Sequence, residues 1–306
     1  MRVKLKLYTA LILMLLSLGC GKNNVLDPVT PEPVSLNFGT ESTLDVVTWN
    51  LQLFPRTDTD KSAIAQMITT IDADVIAFQE IMNYNSFMEM ASMLPNYSAY
   101  VYNATSDYRL GFLYDNRTIT VKNNYTIYNG QSTPFPRPPY VLEITWKNND
   151  YYIINNHLKA YDDNVIVEGD SWDNEYRRKL ACQKLHQYIS TNLPDEKVIV
   201  LGDMNDQIAD PPEYNVFLSF IDAPDEYLFA DMPIAQNPNY YNVSYPSYTS
   251  HIDHILITNE LFEDFAATDS YCRTIRAETW FSSLTEYKKY VSDHRPVGIR
   301  LAEPAK

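Results

Sequence analysis

The order of strands and helices in the sequence predicts an α/β fold in which two sheets pack together and helices cover them. Helical patterns follow the first, second and penultimate groups of strand-like runs, whereas the middle of the chain reads as one strand after another. No internal repeat divides the pattern. A simple parallel sheet would alternate strand and helix throughout, so two packed sheets are the better prediction.

The individual elements follow from hydrophobic periodicity. The strand-like runs are, in chain order, "TLDVVTWNLQLF", "ADVIAFQE", "YSAYVYN", "RLGFLYD", "TITVKNNYTIY", "YVLEITWK", "DYYIINNHLKA", "KVIVLGDMND", "SHIDHILIT" and "PVGIRLA". Helical spacing is found in "DKSAIAQMITTI" and "SFMEMASML". The clearest amphipathic helix is "NEYRRKLACQKLHQYISTNL", whose apolar side carries Tyr176, Leu180, Leu185, Tyr188 and Ile189.

The N-terminal segment is not part of this fold. Residues 1–19 combine a basic start with an apolar run, as in a secretory signal peptide, and are too short for a stable membrane span. Cys20 resembles the lipidated first residue of a bacterial lipoprotein, with plain secretion as the alternative. Residues 20–43 are rich in proline and lack periodicity, which predicts an extended tether. Residues 44–302 form the predicted globular domain.

We therefore expect an exported protein. It would be anchored to a bacterial membrane surface, on the periplasmic or outer-membrane side, through the lipid on Cys20 alone. No protein partner is evident from the sequence.

The acidic balance restricts how the protein can recognise a substrate. The chain has 306 residues, with 24 Lys and Arg against 39 Asp and Glu, and a net charge of −15. Loss of Arg2, Lys4 and Lys6 with the signal peptide would bring the charge to −18. Such a field opposes tight, nonspecific binding of duplexes, which depends on many basic side chains at phosphates. It does not exclude a polyanion that is cut where bound cations reverse the local sign.

Polar and acidic side chains recur at the ends of apolar strands. The groups are Asn50; Gln79 and Glu80; Asn155, Asn156 and His157; Asp203, Asn205 and Asp206; Asp253; and Asp293 and His294. An acid that ends an apolar strand is costly to bury unless it has a partner. Oxygen ligands of this kind suit Mg²⁺ or Ca²⁺, whereas no spacing of Cys and His indicates structural zinc. The pattern therefore predicts a site for a hard divalent cation.

The motifs "TWN", "FQE", "NNHLKA", "LGDMND", "HIDHIL" and "SDHRPV", in this order, resemble those of the endonuclease/exonuclease/phosphatase superfamily. This superfamily includes deoxyribonucleases, abasic-site nucleases, inositol polyphosphate phosphatases and sphingomyelinases. The resemblance covers about residues 44–302, and "GDMND" together with "SDHRPV" is its most specific part. It implies a four-layer α/β sandwich of two packed mixed β-sheets flanked by helices, as in deoxyribonuclease I, with the active site at one end of the sheets.

Carried over by position, the resemblance implies a role for each member of the site. The metal ligands would be Glu80, Asn50 and Asp293. The cation would be Mg²⁺, with Mn²⁺ or Ca²⁺ as alternatives. The catalytic residues would be His157, Asp203, Asn205, Asp253 and His294. The substrate phosphate would be bound by Asn205 and by Arg137, which lies in a segment, "TPFPRPPYVLEI", that resembles part of the deoxyribonuclease branch. Which imidazole is the base and which is the acid stays open.

The run "SDHRPV" has a chemical rationale within such a site. A carboxylate behind an imidazole fixes its tautomer and raises its pKa, which suits a histidine that works near neutral pH. We expect Asp253 to hold His294 in this way, Asp293 to face the cation, and Arg295 to face solvent or an outer acid. In the deoxyribonuclease branch a Glu orients the imidazole that matches His157. Asp107 is the local acid that could take its place.

These expectations lead to one leading function with two alternatives. The leading hypothesis is a metal-dependent hydrolase of phosphate esters, specifically a nuclease-like phosphodiesterase whose substrate could be nucleic acid. One alternative is a phosphomonoesterase or a sphingomyelinase-like lipid phosphodiesterase. For the lipid enzyme the aromatic runs "FPRPPY" and "YYNVSYPSY" are candidates for an exposed apolar wedge. The other alternative is a binding protein that keeps the fold without activity.

The two cysteines of the predicted domain allow two states. Cys182 and Cys272 could form a disulfide in an oxidising compartment, or they could remain two buried thiols.

Overall fold

Two six-stranded sheets form the centre of the computed structural model, which describes residues 35–103, 107–161 and 163–304. In chain order the strands are β1 (Thr43–Phe54), β2 (Val75–Ile81), β3 (Tyr97–Val101), β4 (Arg109–Asp115), β5 (Thr120–Thr126), β6 (Tyr140–Trp146), β7 (Asn149–His157), β8 (Val198–Asp203), β9 (Tyr227–Phe229), β10 (Asp253–Thr258), β11 (Tyr271–Thr274) and β12 (Val297–Ala302). The first sheet has the order β11-β12-β1-β2-β4-β3, and the second has the order β5-β6-β7-β8-β10-β9.

The α-helices of the described residues connect and cover these strands. They are α1 (Lys61–Ile71), α2 (Tyr84–Ala91), α3 (Asn174–Asn192), α4 (Leu218–Ile221), α5 (Met232–Gln236), α6 (Phe262–Ala266) and α7 (Leu284–Tyr290). Asp60 caps α1 and Asp173 caps α3, and each side chain accepts a hydrogen bond from a backbone N–H of the first turn. These caps satisfy groups that a helix start would otherwise leave unpaired.

Both faces of the central strands are buried, which explains why they are apolar almost throughout. Along β1, Leu44 and Val46 point into the core between the sheets, whereas Val47 and Trp49 pack under the helices on the outer side. Helices α1, α2 and α7 cover the first sheet, and α3 and α4 cover the second. This succession of helices, sheet, sheet and helices confirms the predicted four-layer α/β sandwich.

Each sheet contains one parallel pair near its centre, β1 with β2 and β7 with β8, and its other neighbours are antiparallel. Both sheets are therefore mixed, as predicted. Parallel strands place their carboxyl ends at the same edge of a sheet. An antiparallel neighbour, such as β10 beside β8, brings its amino end to that edge. Residues that end one strand and begin another are thus gathered together.

The folded part of the chain begins earlier than the predicted boundary at residue 44. Leu36 and Phe38 fall within the predicted tether, yet both are buried in the core of the first sheet. The ring of Phe38 packs edge-on against Tyr271, with 5.7 Å between ring centroids. The prolines before Leu36 make the segment resemble an extended tether, and two isolated apolar residues show no periodicity that would predict their burial. The predicted signal peptide, Cys20 and the first part of the tether lie outside the described residues.

The two cysteines are free thiols. Cys182 lies on the buried side of α3, whereas Cys272 on β11 packs against the core between the sheets. Of the two expected states, separate thiols are therefore the correct one. Within the part of the chain that the structure describes, no helix is both long and apolar enough to cross a membrane.

Candidate active site

The register of the second sheet places three of the predicted site residues in a row. β7 and β8 are parallel, with His157 opposite Asp203, and β8 and β10 are antiparallel, with Asp203 opposite Asp253. In the first sheet, the parallel pairing of β1 and β2 sets Asn50 beside the end of β2, where Glu80 lies. Backbone pairing thus gathers side chains that are far apart in sequence.

Gly202 allows β7 and β8 to approach each other at this point. Its φ is 137°, and a Cβ atom there would collide with the backbone oxygen of Asn156 on β7. The next residue is Asp203. The glycine of "LGDMND" is therefore required by the strand pairing that positions the acid.

Glu80, His157 and Asp203 form a tight cluster. Nε2 of His157 lies 3.8 Å from Oε1 of Glu80 and 3.6 Å from Oδ2 of Asp203. The side-chain amide of Asn50 donates hydrogen bonds to both carboxylates, at 3.2 Å to Glu80 and 2.7 Å to Asp203. The side-chain oxygen of Asn50 accepts a hydrogen bond of 2.8 Å from the backbone N–H of Gln52. Asn50 thus orients the two acids, and its role as a metal ligand stays a prediction.

His294 lies near the same acid and is held by Asp253. Oδ2 of Asp253, which is fully buried, lies 2.8 Å from Nδ1 of His294. Nε2 of His294 lies 3.9 Å from a carboxylate oxygen of Asp203 and 3.9 Å from one of Asp293. The imidazole also packs against the ring of Tyr245, with 4.7 Å between ring centroids. The carboxylate–imidazole contact expected from the sequence is present.

Ser292 ties the run "SDHRPV" to β1. Its Oγ donates a hydrogen bond of 2.7 Å to the backbone oxygen of Asn50 and accepts one of 3.0 Å from the backbone N–H of His294. Asp293 accepts a hydrogen bond of 2.7 Å from the side-chain amide of Gln52. Both anchors fix this run against the first sheet, which explains how a loop can hold its charged side chains in place.

Arg295 does not face solvent. Its guanidinium is fully buried and donates hydrogen bonds of 2.9 and 2.7 Å to the two carboxylate oxygens of Glu278, in a short 3-10 helix (Ala277–Trp280). Two further bonds go to the backbone oxygens of Tyr240 and Val243. The expectation that Arg295 faces an acid is therefore confirmed, and the alternative that it faces solvent is wrong. A buried guanidinium requires such a partner, because desolvation of an unpaired charge is costly.

The pKa values of His157 and His294 are shifted in opposite directions. Burial lowers the pKa of His157 well below its usual value, and the charges of Arg137 and His294 lower it further. Burial also opposes the charged form of His294, but the carboxylates of Asp253 and Asp203 outweigh it and raise this pKa. Burial, followed by the charge of Asp253, raises the pKa of Asp203. At neutral pH the site thus offers one neutral and one charged imidazole, a division that separates a proton acceptor from a proton donor.

These groups open into a cavity of about 620 Å³. The predicted site residues that line it are Glu80, Arg137, His157, Asp203, Asn205, Asp293 and His294. Asn50 and Asp253 are fully buried and contact the lining residues from behind. The structure therefore brings together every predicted site residue that it describes. Their individual roles stay predictions, and Cys20 lies outside the described residues.

Sequence reasoning missed several residues of the cavity and its support, among them Gln52, Lys159, Arg177, Tyr245 and Ser292. Lys159 stands within the quoted motif "NNHLKA" and Ser292 within "SDHRPV", so proximity to a motif was an available signal. Arg177 lies on α3, and Tyr245 lies in an irregular segment. No local pattern distinguishes these two from surface residues.

Among the described residues, no carboxylate lies at Nδ1 of His157 to orient its ring, although the resemblance to the deoxyribonuclease branch implies one. Its Nδ1 is buried without a hydrogen-bond partner among the described residues. Asp107, the candidate for that position, is exposed, whereas the ring of Tyr108 lies edge-on to His157 with 6.5 Å between ring centroids. His157 is therefore oriented by ring packing and by its strand, not by an acid behind it.

The oxygen atoms of the site fit a hard divalent cation. Oδ1 of Asp293 and Oε1 of Gln52 are buried acceptors without a hydrogen-bond partner among the described residues. Ligand atoms of Glu80, His157 and Asp203 lie within 4.8 Å of one another. Carboxylate and amide oxygens are the ligands that Mg²⁺ and Ca²⁺ prefer. The donor set is consistent with the expected cofactor.

A second buried cluster, formed by Asp231, His251 and His254, is not part of the cavity lining. Nδ1 of His254 lies 2.5 Å from Asp231, and its Nε2 lies 2.8 Å from the backbone oxygen of Asp206. Nε2 of His251 lies 3.0 Å from the same carboxylate. Burial opposes the charged form of His254, but the carboxylate of Asp231 and the backbone oxygen of Asp206 outweigh it and raise the pKa of this imidazole. We interpret this cluster as support for the segment after β8.

Comparison with known proteins agrees with this architecture. No curated protein matches the sequence. TDP2 from D. rerio, solved in complex with a single-strand DNA product, is 12% identical, has a TM-score of 0.63, and the match covers 86% of this chain and 100% of that one. The human Nocturnin catalytic domain, with a bound sulfate anion, is 15% identical with a TM-score of 0.61, covering 85% and 94%. An endonuclease/exonuclease/phosphatase from Bacteroides vulgatus is 15% identical with a TM-score of 0.61, covering 86% and 100%.

At these identities the similarity establishes the fold. The family is established by the sequence itself, because the model of the Endonuclease/Exonuclease/phosphatase family matches residues 47–294, most of the chain. That match spans the strands and loops that build the cavity, from β1 to His294. The chain therefore belongs to the endonuclease/exonuclease/phosphatase family.

Proposed function

We propose that the protein hydrolyses phosphodiesters, with nucleic acid as the leading substrate class, in the presence of a divalent cation. Members of its family are generally hydrolases that act on phosphate esters. The observation that carries the proposal is the position of His157 and His294, which both face Asp203 in one open cavity. The pKa of His157 is lowered and that of His294 is raised. Two proteins of the same fold were solved with a single-strand DNA product and with a sulfate anion, and both molecules belong to the chemical class of the proposed substrate.

The chemistry divides between the cation and the side chains. A divalent ion held by Glu80 and Asp293 would offset negative charge on the phosphoryl oxygens. His294, kept charged by Asp253, donates a hydrogen bond from Nε2 to a phosphoryl oxygen. Asp203 orients the attacking water. His157 is neutral and is the better proton acceptor of the two imidazoles, whereas His294 is the better donor.

A hydrolysis panel tests this proposal. The mature protein is incubated with plasmid DNA, single-stranded DNA, RNA, bis(p-nitrophenyl) phosphate, p-nitrophenyl phosphate and inositol phosphates, each with Mg²⁺, Mn²⁺, Ca²⁺ or a chelator. We expect diesters to be cut only in the presence of metal. His294→Gln should abolish cleavage, whereas His186→Gln, on the outer helix α3, should not.

Two outcomes would contradict the proposal. Faster hydrolysis of monoesters than of any diester would favour the phosphomonoesterase. Binding without hydrolysis of any substrate, with every metal, would favour the inactive binding protein.

One observation favours a lipid phosphodiesterase as the second candidate. Phe135 and Tyr140 are buried, so "FPRPPY" does not form an apolar wedge. Tyr248, in "YYNVSYPSY", is 74% exposed and stacks on Tyr245, which in turn packs on His294. An exposed aromatic ring therefore lies close to the site, where it could enter a lipid surface. Sphingomyelin vesicles in the same panel test this, since a Tyr248→Ser variant should then lose vesicle hydrolysis and keep that of soluble diesters.

We further propose that lipidation of Cys20 anchors the catalytic domain to the outside of a bacterial inner membrane or to the outer membrane. The support is the sequence of the signal segment alone. Metabolic labelling with a fatty acid should mark the wild-type protein and not Cys20→Ala. Cell fractionation should then find the variant in the soluble fraction. An unlabelled wild type would replace this proposal with plain secretion.

A further inference from the structure

One wall of the active-site cavity carries three cations from separate parts of the chain. Arg137 lies in the loop before β6, Lys159 follows the end of β7, and Arg177 lies in the first turn of α3. All three line the same cavity. The chain has 24 basic against 39 acidic residues, so three converging cations are unexpected and need a physical reason.

These cations are not neutralised by contact with an acid among the described residues. Their hydrogen bonds go to backbone oxygens, at 3.5 Å for Arg137, 2.9 Å for Lys159 and 2.9 Å for Arg177. Arg137 lies 4.7 Å from the ring centroid of Tyr108, and Lys159 lies 4.9 Å from that of Tyr161. Such partners orient a cation and leave its charge available to an anion.

The three charges also repel one another. Burial lowers the pKa of Lys159, and the charges of Arg177 and Arg137 lower it further. Burial lowers the pKa of Arg137 as well, although Glu80 and Asp203 oppose this effect. Like charges held together in a partly dry cavity raise the free energy of the folded protein, and a bound anion would relieve that repulsion.

The protein holds this wall in place from behind. Arg178 is fully buried, and its guanidinium donates hydrogen bonds of 2.8 Å to the backbone oxygen of Lys159 and 2.6 Å to that of Tyr161. Its Nε donates a bond of 2.7 Å to Asp206, which follows β8. The segment that carries Lys159 is therefore braced against the loop that carries Asn205, so Lys159 is held in place relative to that loop.

We propose that Arg137, Lys159 and Arg177 form a second anion subsite, which binds a phosphate group next to the phosphodiester that is cut. The inference rests on the proposed function, because the subsite belongs to the same cavity. A phosphodiester carries a single negative charge, which the divalent cation would already offset, so the charges of Arg137, Lys159 and Arg177 are in excess. A cavity of about 620 Å³ also exceeds the space that one phosphate group fills. The preferred substrate is thus a diester with a second phosphate one linkage away.

Dinucleotides test this preference directly. We compare thymidylyl-thymidine without a terminal phosphate, with a 5′-phosphate, with a 3′-phosphate, and as part of a trinucleotide whose second phosphate is internal. Wild type should show a kcat/KM roughly tenfold or more higher for one of the substrates with a second phosphate than for the bare dinucleotide. The substrate that gains most identifies the second phosphate as terminal or internal.

Substitutions assign the preference to the three cations. The preference is the kcat/KM of the best substrate with a second phosphate divided by that of the bare dinucleotide. Lys159→Met and Arg177→Gln should each reduce this ratio toward one. Lys179→Met is the matched control, because Lys179 lies on the same helix, pairs with Glu168 and is outside the cavity lining. Its ratio should equal that of wild type. Equal kcat/KM values for all substrates in wild type would overturn the subsite, as would an unchanged ratio in both test variants.

A binding measurement separates this inference from the proposed function. Inorganic phosphate is titrated calorimetrically into the mature protein in the presence of a chelator, so that no hydrolysis is needed. Lys159→Met and Arg177→Gln should weaken phosphate binding by roughly tenfold, and Lys179→Met should not. If no ester is hydrolysed but this pattern holds, the proposed function fails and the subsite stands. If diesters are hydrolysed and the variants bind phosphate like wild type, the subsite fails alone.

Discussion

Oδ2 of Asp253 lies 2.8 Å from Nδ1 of His294, and this contact decides which imidazole nitrogen is free to act in the cavity. Asp253 is the first residue of β10 in the second sheet, whereas His294 lies just before β12 in the first. The pair therefore joins the two sheets across the site. A change in Asp253 alters the tautomer and charge of the imidazole without removing a group that faces the cavity.

We predict that Asp253→Asn lowers kcat on the order of 100-fold or more and changes KM little, because the variant disturbs proton transfer and not substrate contact. Steady-state kinetics on a small diester measures both constants, and circular dichroism verifies the fold. Asp225→Asn, at an exposed position, should leave both constants unchanged. An Asp253→Asn variant with normal turnover would show that the pair is only structural.

The metal site gives a second prediction. Glu80→Gln should weaken the affinity for Mg²⁺ or Mn²⁺ by roughly tenfold or more, because it removes a charged oxygen ligand. Calorimetric titration of the metal measures this directly. Glu89→Gln, on the surface beside Lys61, is the control and should bind metal like wild type. In wild type, a chelator should abolish hydrolysis and added metal should restore it. Full activity in excess chelator would exclude a metal mechanism.

Arg137 gives a third prediction. Arg137→Ala should raise KM for DNA roughly tenfold or more, the effect of one charge-assisted contact. It should affect a small monoester less, since that substrate needs fewer contacts beyond the reacting phosphate. Steady-state kinetics on DNA, a small diester and a small monoester tests both statements. If monoesters are turned over fastest and the variant cuts DNA normally, the nuclease-like proposal loses to the phosphatase.

Asp74, just before β2, should make stability depend on pH. Its carboxylate accepts hydrogen bonds of 2.9 Å from the backbone N–H of Asp45 and 2.5 Å from Thr118. Burial raises its pKa to about 6. The folded state then holds this proton more tightly than the unfolded state. The resulting stabilisation is fully present below about pH 4 and is lost as the pH rises through about 6.

Asp74→Asn imitates the protonated acid. We predict that its free energy of unfolding, relative to that of wild type, rises between about pH 4 and pH 6 and then levels off. The gain should be at most about 3 kcal/mol, since one pKa unit corresponds to about 1.4 kcal/mol. Urea denaturation at a series of pH values measures this difference. Asp225→Asn should show no such trend, and a difference independent of pH for Asp74→Asn would refute the explanation.

The strands that carry the site could be predicted because each is an apolar run with polar residues at one end. "TLDVVTWNLQLF" and "RLGFLYD" coincide with β1 and β4 from end to end. The strand β9 and the helices α4, α5 and α6 have three to five residues each. Elements this short contain too little of a period to be recognised.

Buried charge pairs could not be predicted from the sequence, because they depend on contacts between residues that are far apart in the chain. Glu175 and Arg178 lie on the buried side of α3, whereas Tyr176 and Leu180, which the apolar pattern placed there, are only half-buried. A hydrophobic periodicity cannot reveal that Arg178 has acceptors in two loops. The pairing of Arg295 with Glu278 is of the same kind, and for that reason the sequence alone left solvent as an option for this arginine.

Gly202 contributes no functional atom, yet any side chain at this position would push β8 away from β7 and so separate Asp203 from His157. A survey of random variants scored by growth or activity would therefore rank position 202 among the catalytic residues. Scoring the same variants by protein abundance would distinguish positions that the fold requires from positions that the reaction requires. At Gly202 abundance and turnover should fall together, whereas at His294 turnover should fall while the protein accumulates normally.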